Sequence, residues 1–203
     1  MRLVLAGVGG AFGAREDLSI QIHCCLLALR TKRPVRMTYG REESFFGHVH
    51  RHPARMFYEH GATHDGTLVY VRATLVLDGG AYASSSSAVI ANAACFGAGP
   101  YRVPNALVHG VVAYTNDPPT GAMRGFGAVQ SCVAYEAQMD RLAAACGIDP
   151  VEIRARNGLR EGDPIITSQP MIGSAPIEEI VRRCAALPMP DEEIPSEPLR
   201  LPG

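Results

Sequence analysis

Apolar residues recur along this chain in two kinds of rhythm, one helical and one extended. Between Glu16 and Arg30, the residues Leu18, Ile22, Cys25, Leu26 and Leu29 fall at helical spacing, and the run stops before Pro34. Glu16 and Asp17 in its first turn would meet the positive end of the helix dipole. A second helix is predicted over Ala128–Cys146, with Val129, Val133, Ala137 and Leu142 on one face and Gly147 as its stop. Asp149-Pro150-Val151-Glu152 then opens a short helix running to Asn157 and stopped by Gly158. Asp149 can accept from an early N–H, Pro150 suits the first position, and Glu152 can answer back. The small apolar stretch behind the Ser84–Ser87 entry predicts one more helix, ending at Ala94.

Extended segments are predicted at Arg2–Ala6, Val35–Tyr39 and Leu107–Tyr114. Two further β-rich runs, Arg55–Thr63 and Thr67–Asp78, flank His64-Asp65-Gly66 and predict a hairpin. Strands and helices interleave without a strict βαβ rhythm. The expected class is therefore α+β, with mixed sheets and packed helices. Leu187–Gly203 holds five prolines and reads as a disordered tail.

Composition narrows the functional classes. A net charge of −1 gives no bulk attraction for nucleic acid or an acidic membrane. No apolar run approaches the roughly 20 residues that cross a bilayer, and the N-terminus lacks a signal-peptide layout, so a cytoplasmic protein is expected. The six cysteines show neither C-x-x-C nor a Cys/His pairing at zinc spacing, which argues against iron–sulfur ligation by this chain. Lys32 is the single lysine, a poor basis for Schiff-base chemistry.

Two glycine-rich turns carry the candidate chemistry. Gly9-Gly10-Ala11-Phe12-Gly13-Ala14-Arg15-Glu16 and Ala122-Met123-Arg124-Gly125-Phe126-Gly127-Ala128 each run into a helix-like segment. Glycines there let backbone approach a ligand closely, and helix-opening N–H groups offer hydrogen bonds to anionic or oxo groups. Gly7-x-Gly9-x-x-x-Gly13 is also close to a dinucleotide-binding fingerprint. The acidic residue that such a fingerprint needs near position 35 is missing from Pro34-Val35-Arg36-Met37, and Glu42 and Glu43 come late. His48-x-His50-x-His52 reads as a polar loop rather than a metal site. Glu136 and Asp140, four residues apart beside Arg141, read as a solvated face.

Together with Asp78-Gly79-Gly80-Ala81-Tyr82, Pro100-Tyr101-Arg102-Val103-Pro104-Asn105 and Thr115-Asn116-Asp117-Pro118-Pro119, the two turns resemble the molybdenum hydroxylase family. This family comprises the large subunits of xanthine dehydrogenases and aldehyde oxidases, and the likeness is especially close to bacterial xanthine dehydrogenase molybdenum subunits. The resemblance covers residues 1 to about 172. It implies a first molybdopterin-binding domain over 1–158, the start of a second over 159–186, and the proline-rich tail over 187–203. It further implies that Gly10, Phe12, Gly13, Arg124, Gly125 and Gly127 face a molybdenum–pterin cofactor, as molybdopterin or its cytosine dinucleotide. Glu16 and Phe126 would reach a heteroaromatic or aldehyde substrate. Iron–sulfur clusters and FAD would sit on partner subunits or domains of a homodimeric assembly.

Each of these residues has a plainer reading. Glu16 can be a first-turn helix charge, Phe126 a core residue below the Ala128 helix, and Arg124 an ion-pair partner, while Gln130 has a support role. Purine-oxidising members place an arginine where this chain has Asn92, which weakens a purine assignment. The family's general-base glutamate has no counterpart here, so the sequence reads as an internal fragment that is inactive alone. A nicotinamide-dependent oxidoreductase and a non-catalytic interaction module are the alternatives.

Overall fold

The computed structural model describes residues 1–7, 9–13 and 15–188. Its centre is a three-stranded sheet in the order β1 (Ala54–Ala62), β2 (Leu68–Gly80) and β3 (Asn105–Tyr114). β1 and β2 form the expected antiparallel hairpin, and Gly66 at its turn takes φ +81°, open to glycine at little cost. β2 and β3 pair in parallel. A parallel pair requires a crossover, and α3 (Ser86–Cys95) supplies it. The sheet is thus mixed and the class α+β.

β2 is the spine of the core. Leu68, Val71, Ala73, Leu75 and Leu77 are buried, and Ala73 and Leu75 pack against Ala93 of α3. A second cluster joins Leu68 and Tyr101 to Tyr135, Met139 and Ala143 of α4 (Ala128–Cys146) and Ile153 of α5 (Pro150–Asn157). Each large aliphatic side chain buried this way contributes about 1.5–3 kcal/mol. α5 starts as its sequence requires: the Asp149 carboxylate accepts from the N–H groups of Val151 at 2.8 Å and Glu152 at 3.1 Å. α6 (Ile177–Ala185) packs on α5.

The structure corrects several expectations. α4 has the predicted bounds but buries a different face: Gln130, Ser131, Tyr135, Met139 and Ala143 point inward, while Val133 is 67% exposed. Tyr135, Met139 and Ala143 on that face join the cluster with Leu68, Tyr101 and Ile153. Arg2–Ala6 and Val35–Tyr39 belong to no strand among the described residues. The first helix, α1, spans Ile20–Thr31, so Glu16 and Asp17 precede it rather than occupy its first turn. A short helix over Arg41–Gly47, α2, was not expected; the Glu43 carboxylate accepts from the Gly40 N–H at 2.7 Å at its start. No described residue before Val49 is buried. The proline-rich tail expected from Leu187 onward lies, beyond Pro188, outside the described residues.

Glu136 and Asp140 are not simply solvated. Arg154 of α5 reaches both, at 2.7 Å and 2.8 Å.

Buried imidazole shapes the acid response. His60 lies on the inner side of β1, and both its ring nitrogens are buried without a partner among the described residues. Burial pushes its pKa from 6.5 down to about 4. Below pH 6.5 the unfolded chain takes a proton that the folded chain refuses until about pH 4. This contribution is therefore complete above pH 6.5 and declines as pH falls through that window. His52, lowered by burial against the opposing pull of Asp78, acts with the same sign. We expect urea-unfolding stability to drop by roughly 2–3 kcal/mol through this window from His60 alone, at about 1.4 kcal/mol per unit. His60→Leu should flatten that decline, and an unchanged slope would refute the assignment.

Candidate functional site

The two glycine-rich turns, more than a hundred residues apart, are built alike and meet. Phe12 and Gly13 take φ +52° and +97°; Phe126 and Gly127 take +46° and +96°, with Gly125 at +90°. A phenylalanine in the left-handed region is disfavoured and persists only where its surroundings hold it. Here they do. The Arg124 N–H donates to the Phe12 carbonyl at 2.8 Å, joining one turn to the other. Gly13 lies so close to the second loop that a Cβ there would stand 2.6 Å from the Ala122 carbonyl oxygen. Gly127 in turn lies against the Val89 carbonyl of α3, where a Cβ would collide. The Arg124 guanidinium carbon sits 5.9 Å from the centre of the Phe12 ring.

Side chains from elsewhere brace the pair. Arg51 donates to the Arg124 carbonyl at 2.7 Å and to Gln130 Oε1 at 3.4 Å, and Gln130 Nε2 donates to the His52 carbonyl at 3.4 Å. Asn92 Nδ2 donates to the Phe126 carbonyl at 2.7 Å. His52 is buried with Nε2 2.7 Å from Ser86 Oγ, so the three-histidine segment is anchored at its end rather than loosely solvated. In the sequence, Asn92 stands out only as a departure from purine oxidisers, and Arg51 carries no signal at all.

The predicted site residues fall into two groups. Gly10 and Phe12 line a cavity of about 1080 Å³ between the N-terminal segment and the chain around Tyr39. Phe12 is 64% exposed, and its ring packs over Gly10. Glu16 is exposed, and its N–H donates to the Gly13 carbonyl at 3.4 Å; its side chain is absent from that cavity wall, although Arg15 and Asp17 on either side belong to it. Phe126 is half-buried and lies outside the same cavity. Of the second turn, Arg124 connects with the first group through its backbone N–H, whereas Gly125 lies against Val129 and Gly127 against α3.

What the paired turns offer chemically is donors. Among the described residues, no acceptor engages the N–H groups of Phe12, Gly13, Gly125 or Gly127. Close backbone packing with unspent N–H groups fits an anionic ligand rich in hydrogen-bond acceptors. The same geometry removes support from the nicotinamide reading. That fingerprint requires a strand entering the turn and a helix leaving it. Arg2–Ala6 forms no ladder, and α1 begins seven residues after Gly13.

Residues 1–158 match the molybdopterin cofactor-binding domain family, and the chain belongs to it. Two relatives sharpen that placement. The chain is 44% identical to the nicotinate dehydrogenase large molybdopterin subunit of Eubacterium barkeri, over 90% of its own length and 43% of that subunit. It is 40% identical to a probable xanthine dehydrogenase subunit of Bacillus subtilis, over 77% of its own length and 21% of the relative. Among solved structures, the aldehyde oxidoreductase of Desulfovibrio desulfuricans superposes with a TM-score of 0.82 at 26% identity, covering 87% of this chain and 19% of that one. The chain therefore spans less than half the length of the relatives it matches. No described helix is long and apolar enough to cross a membrane.

Proposed function

We propose that this chain supplies the paired cofactor loops of a molybdenum-dependent hydroxylase of the xanthine dehydrogenase and aldehyde oxidase type. The observation that carries the reading is the pair of left-handed Phe–Gly turns joined by the Arg124 to Phe12 hydrogen bond, with the N–H groups of Phe12, Gly13, Gly125 and Gly127 unspent among the described residues. Names of the relatives support it, since they are nicotinate and xanthine dehydrogenase subunits.

When bound, the molybdenum cofactor supplies two-electron oxidation of a carbon with oxygen drawn from water. The backbone of Phe12, Gly13, Gly125 and Gly127 would hold it through fixed dipoles, which need no reorganisation during reaction. Gly10 gives the Phe12 ring room to lie flat over the first turn, and Arg124 locks the turns together. Phe126 offers its ring to a heteroaromatic or aldehyde substrate, and Glu16 offers a carboxylate to the same substrate's polar edge. Glu16, the one carboxylate among these residues, serves binding rather than proton abstraction in this reading, so the chain by itself is expected to bind without turning over. Iron–sulfur clusters and FAD on partner subunits or domains would supply the onward electron path.

Metal and pterin analysis of the chain, produced in a host that makes the cofactor, tests this reading. Molybdenum and released pterin in equal amounts are the expected result. Tight NAD binding by calorimetry with neither molybdenum nor pterin would overturn it in favour of a nicotinamide enzyme.

A further inference from the structure

Phe126 occupies a backbone conformation that its own side chain disfavours, and the turn's internal hydrogen bonds do not involve its carbonyl. Within the turn, the Phe126 N–H donates to the Met123 carbonyl at 2.7 Å and the Ala128 N–H to the Gly125 carbonyl at 2.9 Å. The Phe126 carbonyl instead faces α3, where Asn92 Nδ2 donates to it at 2.7 Å. Asn92 is half-buried, one helical turn beyond Val89, whose carbonyl lies against Gly127. The amide orientation is forced by this contact: the opposite flip would set oxygen against oxygen. Rotating Phe126 out of the left-handed region would turn its carbonyl away and break the bond.

We infer that Asn92 is a positioning residue, which fixes the Phe126 turn from α3 and thereby sets where the Phe126 ring meets a substrate. The link to substrate rests on the role proposed above for Phe126; the link to the turn rests on geometry alone. Asparagine suits the task because it donates without a charge. Leucine offers no donor, and aspartate at neutral pH only accepts, so it would repel the same carbonyl. Glutamine keeps the donor on a longer arm.

Hydrogen–deuterium exchange on the full chain separates positioning from general stability. Asn92→Leu and Asn92→Asp should accelerate exchange across residues 124–130 by about tenfold or more, while β2 and the later turns of α4 keep their protection. Asn92→Gln should restore much of the protection. Unchanged exchange in both the leucine and aspartate variants would overturn the inference, as would acceleration spread evenly over sheet and helices, which would mark Asn92 as merely structural. Local acceleration in a chain that carries neither molybdenum nor pterin would uphold the positioning role and remove the proposed substrate contact of Phe126.

Discussion

Gly13→Ala is expected to abolish cofactor retention and to destabilise the N-terminal turn by roughly 2–6 kcal/mol, from left-handed strain and overpacking of about 1–3 kcal/mol each. The added methyl would stand 2.6 Å from the Ala122 carbonyl oxygen and 2.9 Å from the Met123 nitrogen. Both are backbone atoms, so no side chain can swing aside. Relief requires the loops to separate, and separation costs the Arg124 to Phe12 hydrogen bond that joins them. Gly127→Ala should behave alike on the opposite side, because its methyl would strike the Val89 carbonyl while φ stays at +96°. Gly9→Ala is the control: among the described residues, leaving aside its chain neighbours, nothing lies within 4 Å of the added carbon. Molybdenum and pterin content, with thermal denaturation of the same preparations, checks the series. Full retention in Gly13→Ala would show that the turns need not touch.

Arg154→Met should lower stability by about 2–3 kcal/mol, between the near-zero value of an exposed pair and the 3–5 kcal/mol of a buried one that loses a partner. Arg154 is 19% exposed at its side chain and bridges Glu136 and Asp140 of α4. Glu136 also accepts from the Tyr101 hydroxyl at 2.8 Å, and burial with that carboxylate pushes the phenol far above its ordinary range. Removing the guanidinium leaves Glu136 partly desolvated without its cation, whereas Asp140 is 63% exposed at its side chain and returns to water. Asp140→Asn should therefore cost less than about 1 kcal/mol. Urea unfolding at pH 7 distinguishes the two. Equal losses would mean that Arg154 acts through Asp140 rather than through Glu136.

The parts of this fold that sequence foretold are those with local chemistry. Asp149 capping α5, Gly147 ending α4 in the left-handed region, and Gly66 at the hairpin each act within a few residues of themselves. Arg2–Ala6 and Val35–Tyr39 carry strand patterns, but a strand needs a neighbour, and no described segment pairs with either. Local hydrophobicity favours the Val133 face of α4, whereas the face that docks carries Tyr135 and Met139, whose partners Leu68, Tyr101 and Ile153 lie far off in sequence. At the site, the glycine spacings marked both turns. Their braces were invisible: Asn92 acts across 34 residues and Arg51 across 73, through side chain to backbone bonds that leave no periodic trace.

The first 48 residues hold Leu18, Ile22, Leu26, Leu29, Phe45 and Phe46 in the open, with no described residue buried before Val49. Apolar surface already wetted in the folded state adds nothing to the heat capacity when the chain unfolds. A calorimeter should therefore register a heat-capacity increment well below the roughly 12–15 cal/mol/K per residue expected of a chain this long. By that measure the protein will weigh in as its sheet and the helices packed on it, roughly two thirds of its length.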